Sequence, residues 1–279
     1  MRPARFAALA LASSAFIAAA LLATPVASAF GVGIQPSTVE MTIKPGERQR
    51  QVVTIGNVHT ERTISLTLGL ADWSLDENGK LLLDAPGDTE RSAADWVRFS
   101  PASVTLKPET RQDIIVEITT PFDVKTKGDH RFALLATTLL PELDERGEVS
   151  GVWNRYQLTS LFYLTLGKSK SLPVVQQVAL SEADPTLITM EIRNEGDAHA
   201  RLRGAAQVVD GTGEIVAETE VNAVVLDNAK RNLNVSVPEL AELEPGEYSI
   251  DFRISNAFAP QNRFKNTAVD VKSLSYVAE

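Results

Sequence analysis

Cysteine is absent from this 279-residue chain. That excludes a disulfide framework, a thiol nucleophile and any thiolate metal site. Histidine is scarce, and His59, His130 and His199 are scattered, which leaves little material for a histidine-rich metal centre. Aromatic residues make up 6% of the chain, with 16 glycines and 14 prolines, a composition outside the disordered and low-complexity classes. Positive charge is in deficit: 27 Lys and Arg stand against 36 Asp and Glu, a formal net charge of −9. This balance argues against a surface built for nucleic acid or anionic lipid. Catalytic signatures are missing as well. The chain has no G-x-S-x-G elbow, H-E-x-x-H, P-loop or G-x-G-x-x-G. No facing pair of glycosidase carboxyl groups is recognisable. The expectation is a protein that is not an enzyme and carries no cofactor or metal.

The remaining candidates for chemistry have plainer readings. His59 follows a strand in a polar loop and His199 falls in a turn, so both read as solvated surface residues. Asp129 and His130 are neighbours, which in a strand sends their side chains to opposite faces. Glu142, Asp144, Glu145 and Glu148 share one polar loop without EF-hand spacing, and read as a solvated connection. Trp73 and Trp96 read as packing residues of the first half, and Trp153 as partly exposed.

One long apolar run is present, Phe6 to Leu22, broken only by Ser13 and Ser14. Arg2 and Arg5 precede it, and Ala27-Ser28-Ala29 comes after it. A basic start, an apolar core and small residues before a cut form a secretory signal peptide over 1–29. No later window holds 18 apolar residues, so no membrane span is expected after processing. Cleavage removes two Arg and no acid, taking the charge from −9 to −11. The expected location is the periplasm, reached by export across the inner membrane.

From Val39 onward the pattern is strand, turn, strand. Val39 to Ile43 alternates and Pro45-Gly46 turns the chain. Val52 to Ile55 and Ile64 to Leu68 come next, then a hairpin turn at Asp76-Glu-Asn78-Gly79, with positive φ expected at Asn78 and Gly79. Val104 to Leu106 and Ile114 to Ile118 make another pair. Arg131 to Leu140 and Tyr156 to Leu166 are two long runs joined by a polar stretch. Gly167 to Pro173 is small, basic and polar, and the pattern then restarts. Leu187 to Ile192, Ala205 to Val209, a turn at Asp210 to Gly213, Leu233 to Val237, Tyr248 to Ile254 and Thr267 to Val271 continue it. No 12-residue amphipathic helix is found, and Ser92 to Trp96 reads as a single turn. Such spacing indicates an all-β sandwich or barrel. Leu243-Glu-Pro-Gly-Glu-Tyr248, with alternating Ile250, Phe252 and Ile254 after it, fits the tyrosine corner of immunoglobulin-like sandwiches. The expectation is therefore all-β: two immunoglobulin-like β-sandwich domains in tandem, 30–170 and 171–279.

Ordered motifs in the first domain resemble a family. They are Ile34-Gln-Pro-Ser-Thr-Val39 with Lys44-Pro45-Gly46, Val53-Thr-Ile-Gly-Asn57, Ala94-Asp-Trp-Val-Arg-Phe-Ser-Pro101 and Val104-Thr-Leu-Lys-Pro108. Gly128-Asp-His-Arg-Phe132 and the run ending Leu161-Phe162-Tyr163 complete the series. In this order they resemble the N-terminal domain of the PapD-like periplasmic pilus-assembly chaperones, and the second domain is similar in plan alone. The resemblance implies an L of two domains. It implies a chaperone that works without ATP, lending the long last strand of domain one to a pilin-like subunit short of a strand, by β-augmentation. An outer-membrane usher is a further implied partner.

The corresponding donor strand is Tyr156 to Leu166, and its more continuous apolar face supplies the candidates Tyr156, Leu158, Phe162 and Leu164. Family members carry an Arg in the first strand and a Lys in the last strand of that domain, which together bind the subunit's terminal carboxylate. Here the first strand, Pro36 to Ile43, has neither, and Ser160 stands at the Lys place. The candidate cleft cations are instead Arg131, Arg155 and Lys168, with Lys44 and Lys170 behind them. The alternative reading is an exported immunoglobulin-like structural, adhesion or binding module that offers the same edge to a different partner.

Overall fold

The computed structural model describes residues 31–140, 154–258 and 267–278. The expected signal peptide, the acidic loop of Glu142 to Glu148 and Trp153 lie outside the described residues. No α-helix occurs among those described. Ala94–Trp96 is a 3-10 turn where the sequence reads one turn.

Ten strands build the first sandwich: β1 (Val32–Gln35), β2 (Thr38–Ile43), β3 (Arg48–Asn57), β4 (Ile64–Leu75), β5 (Leu81–Asp84), β6 (Val97–Ser100), β7 (Ser103–Leu106), β8 (Arg111–Thr119), β9 (Gly128–Leu140) and β10 (Asn154–Leu166). One sheet runs β1-β3-β8-β6 and the other β2-β10-β9-β4, with β5 and β7 each pairing a stretch of β4. Period-two burial produces the two-layer core. Ile114, Val116 and Ile118 on β8 face Phe132, Leu134, Phe162 and Leu164 on β9 and β10, all without solvent exposure. The first extended stretch changes sheets: β1 pairs β3, and after Pro36 and Ser37 the chain continues as β2 along β10. The β2–β10 ladder is parallel, Thr38 to Ile43 against Leu161 to Leu166, among otherwise antiparallel pairings.

The second sandwich comprises β11 (Pro173–Leu180), β12 (Leu187–Asn194), β13 (Ala200–Val209), β14 (Ile215–Val225), β15 (Lys230–Ser236), β16 (Gly246–Asn256), β17 (Thr267–Val269) and β18 (Leu274–Ala278). Its sheets are β11-β12-β15 and β14-β13-β16, with β17 and β18 both on β16. No sheet mixes strands from the two halves among the described residues. The fold is all-β, two immunoglobulin-like sandwiches in tandem.

The tyrosine corner is present. The Tyr248 hydroxyl donates to the Glu244 carbonyl at 2.9 Å, tying the start of β16 to the corner before it. A hydrogen bond of this kind is worth about 1 kcal/mol. Tyr248→Phe should therefore lower the unfolding free energy by that amount, seen as a lower urea midpoint with an unchanged slope. An unshifted midpoint would show the corner to be energetically idle. At the first hairpin, the Asp76 carboxylate accepts from the Asn78 and Lys80 amides at 2.9 and 2.8 Å. Only Gly79 takes positive φ there, at 79°, which corrects the expectation for Asn78.

Candidate functional site

β10 has two halves. Leu161 to Leu166 lie between β9 and β2. Asn154 to Ser160 pair with β9 on one side, and among the described residues no strand covers the other side. Among the described residues this stretch is therefore an edge of its sheet, the kind of place where another strand can add. Period two sends Tyr156, Leu158, Ser160, Phe162 and Leu164 to one face, and that face is the inner one. Phe162 and Leu164 are wholly buried, and Phe162 stacks on Phe132 with ring centroids 4.3 Å apart. This corrects the donor assignment. Phe162 and Leu164 belong to the core of their own sandwich, because their half of the strand packs with Ile114, Val116 and Ile118 of the opposite sheet. Tyr156 and Leu158 are half-buried beside the open edge, and Leu158 packs on the end of the same core.

The place read as the family's Lys is closed. Ser160 is fully buried, and its hydroxyl donates to the Pro36 carbonyl at 2.7 Å. That bond holds β10 to the point where the first stretch changes sheets.

The candidate cations separate. Arg155 and Lys168 are exposed. Arg131 is buried and ion-paired to Asp227 of the second sandwich, with its guanidinium carbon 5.7 Å from the centre of the Trp73 ring. Arg91 approaches the same Asp227 carboxylate at 3.2 Å. None of the three nominated cations lines the cleft between the sandwiches. That cleft has a volume of about 610 Å³, with Leu161 and Tyr163 of β10 on one wall and Arg201, Arg203 and Arg231 on the other. Arg201 and Arg203 flank the buried Leu202 on β13, so alternation alone puts them on one face. Arg231 reaches over Gly79 of the first sandwich, where a Cβ would collide with its guanidinium. Its Nε and Nη1 are buried with no hydrogen-bond partner among the described residues, and this burial pulls its pKa below the ordinary Arg value.

The seam beneath the cleft joins the sandwiches tightly. Trp73 and Tyr163, in edge-to-face contact at 4.8 Å, pack with Ala71 and Ala133 against Leu226 of the second sandwich. Backbone bonds cross it, from the Asp129 amide to the Asp197 carbonyl at 2.9 Å and from the Asn232 amide to the Glu77 carbonyl at 2.6 Å. Gly128 sits at φ 97° against that Asp197 carbonyl, an approach that no residue with a Cβ can make.

His199 lies in this seam, which corrects its reading as a solvated turn residue. It is 1% exposed. Its Nδ1 lies 2.6 Å from Asp129 Oδ2, and its amide donates to that same oxygen at 2.7 Å. Glu40 of β2 stands 3.5 Å from the opposite ring nitrogen, and Arg201 bonds to Glu40. The ring packs on Tyr163 at 4.3 Å and against Phe258 at 5.0 Å. Burial pushes the His199 pKa down, but hydrogen bonds and charge from Asp129 and Glu40 outweigh it and leave the pKa raised. Burial likewise pushes Asp129 and Glu40 up, and bonding to His199 leaves both below the carboxylate range. His130 takes the opposite course. Burial beside Trp96 lowers its pKa, and the charges of Arg91 and Arg131 lower it further.

No protein-family model matches the chain, and no curated protein does. Solved structures do resemble it. The class 5 fimbriae chaperone CfaA is 9% identical over 86% of this chain and 100% of its own, with a TM-score of 0.47. A chain of the Acinetobacter baumannii CsuC–CsuE chaperone–tip adhesion subunit pre-assembly complex is 12% identical over 85% and 96%, with a TM-score of 0.44. A chain of the Salmonella enterica SafA pilin–SafB chaperone complex is 11% identical over 89% and 97%, with a TM-score of 0.44.

Proposed function

We propose that this protein is an exported, periplasmic chaperone for subunits of a pilus or related surface fibre, acting by β-augmentation without catalysis, ATP or a cofactor. The observation that carries the reading is the half-open β10. Among the described residues β9 is the one strand that pairs with Asn154 to Ser160, while Leu161 to Leu166 are anchored between two strands. A subunit strand added there takes main-chain hydrogen bonds for affinity. Tyr156 and Leu158 reach across the new seam and continue the apolar layer that Phe162 and Leu164 begin. The arginine wall of the cleft lies beside Leu161 and Tyr163, so an acidic group at the end of the bound strand finds opposite charge there. An outer-membrane usher would receive the loaded subunit.

The second reading, an exported binding or adhesion module with a different partner, is favoured by one observation. Ser160, at the Lys place of the resembled family, bonds to Pro36 instead, and Pro36 to Ile43 holds no Arg or Lys. Affinity purification of the whole protein from periplasmic extract, with mass spectrometry of what accompanies it, separates the two. Pilin-like subunits are expected, and Leu158→Glu should reduce their recovery at least tenfold while lowering the unfolding midpoint far less than Phe162→Ala does. A single negative charge at that seam costs a strand-sized interface several kcal/mol in desolvation. Recovery of a non-fibre partner through the same edge would support the second reading. Recovery of the protein alone would sink both.

A further inference from the structure

We infer that His199 is a protonation-dependent pin between the two sandwiches: charged, it holds them docked, and neutral, it lets them part. The geometry carries this. Among the described residues, His199 is the one histidine set between carboxylates of the other sandwich. Asp129 from β9 and Glu40 from β2 stand at its two ring nitrogens. The charged and titratable groups facing it are these two carboxylates, Tyr163 from β10 and Arg201 two residues on in β13, and Thr165 donates to Asp129 from behind at 2.6 Å. Burial pushes the Tyr163 pKa up to about 12, so this hydroxyl stays neutral while His199 titrates.

Two carboxylates facing one imidazolium and one guanidinium form a charge-balanced set. Asp129 is fully buried and Glu40 stands at the rim. Removing the imidazole proton leaves Nδ1–H free to keep its bond to Asp129 and takes the positive charge away from both carboxylates. Glu40 keeps Arg201. Asp129 keeps a full negative charge in a dry seam with no cation at its side, an arrangement that low dielectric penalises heavily. Hydrating it means separating the sandwiches. Arg201 and Tyr163 both line the cleft, so the change at His199 reaches the arginine wall directly.

The sign follows from the raised pKa. The His199 contribution to docking is complete below about 6.5, the ordinary histidine value, and is lost as pH rises through the higher value it has when docked. One proton links the two states. The ratio of docked to parted molecules therefore falls about tenfold per pH unit between those two values, until His199 is neutral in both states.

The absence of cysteine makes the test clean. Ala102→Cys and Glu182→Cys, at exposed sites one on each sandwich, accept a pair of spin labels on the whole protein. Between pH 6 and 10, the distance distribution should pass from one narrow peak to a broader, longer one. In His199→Gln, which keeps a donor for Asp129 but cannot titrate, the pH dependence should vanish. Glu40→Gln removes one of the two carboxylates that hold the proton and should move the midpoint to lower pH. A distribution unchanged by pH in the unsubstituted labelled protein overturns the inference. So does a transition that survives in His199→Gln at the same midpoint, which assigns it to another group. A one-dimensional proton NMR titration of the three histidines checks the same point where a substituted protein folds poorly. It should show one histidine titrating at the midpoint of the distance change, and a transition with no histidine titrating alongside it overturns the inference.

Discussion

Phe162→Ala should lower the free energy of unfolding by about 3–5 kcal/mol. Phe162 has no solvent exposure, stacks on Phe132 at 4.3 Å and sits where β10 is covered on both sides. Truncation removes a full aromatic side chain between two sheets that β9 and β2 hold in register, so the cavity cannot collapse easily. The measurement is urea unfolding monitored by far-UV circular dichroism, with the midpoint falling and the slope kept. Leu164→Ala belongs to the same class, at about 2–5 kcal/mol. Leu158→Glu, on the same face of the same strand but half-buried at the end of the core, should lower the midpoint less. A Phe162→Ala protein as stable as its parent would mean that the side chain is available to a partner after all. It would then return to the donor set.

Asp227→Ala should cost a comparable amount, about 3–5 kcal/mol, because it strands a charge. Asp227 neutralises Arg131, which is buried against Trp73, and Arg91 approaches the same carboxylate from the edge. With the carboxylate gone, two guanidinium groups face each other in a closed seam. Arg91→Ala should cost much less, since Arg131 keeps its partner. Comparing the two substitutions by denaturant unfolding separates loss of the shared carboxylate from loss of the half-buried guanidinium beside it. Equal costs for both would overturn this account of Asp227.

Much of this architecture is legible in the sequence, for a local reason. Alternation in Ile114 to Ile118, Leu187 to Ile192 and Tyr248 to Ile254 is a property of each segment by itself, and so is the Pro-Gly corner before Tyr248. Short β5, with Leu81 to Leu83 in a row, and β11, with adjacent Val174-Val175 and Gln176-Gln177, do not alternate and carry no such signal. The site is less legible because its parts are far apart. Parity on β10 groups Tyr156, Leu158, Phe162 and Leu164 correctly on one face. Whether that face is covered depends on the opposite sheet, and whether its edge is covered depends on β2, which lies at the other end of the first sandwich's sequence. Nothing near His199 announces Asp129 or Glu40, and a histidine in a polar turn looks like any surface histidine until the sandwiches dock. Charge alone marks Arg131, and charge cannot tell a cleft cation from one already neutralised. Arg201 and Arg203 carry a weak signal, two cations alternating around an apolar residue in an acidic chain, but only the docked structure shows which surface they line.

The parallel ladder between β2 and β10 has a kinetic consequence. Pro36 and Ser160, bonded across its edge, are 124 residues apart. The sheet therefore cannot close until nearly the whole first half of the chain is available. Closing so long a loop costs entropy before any contact returns it, which places this sandwich among slow-folding, high-contact-order topologies. During that interval Val39 and Ile43 on one side and Phe162 and Leu164 on the other have no cover. Until that ladder closes, the first sandwich is the part of the chain most exposed to misassembly.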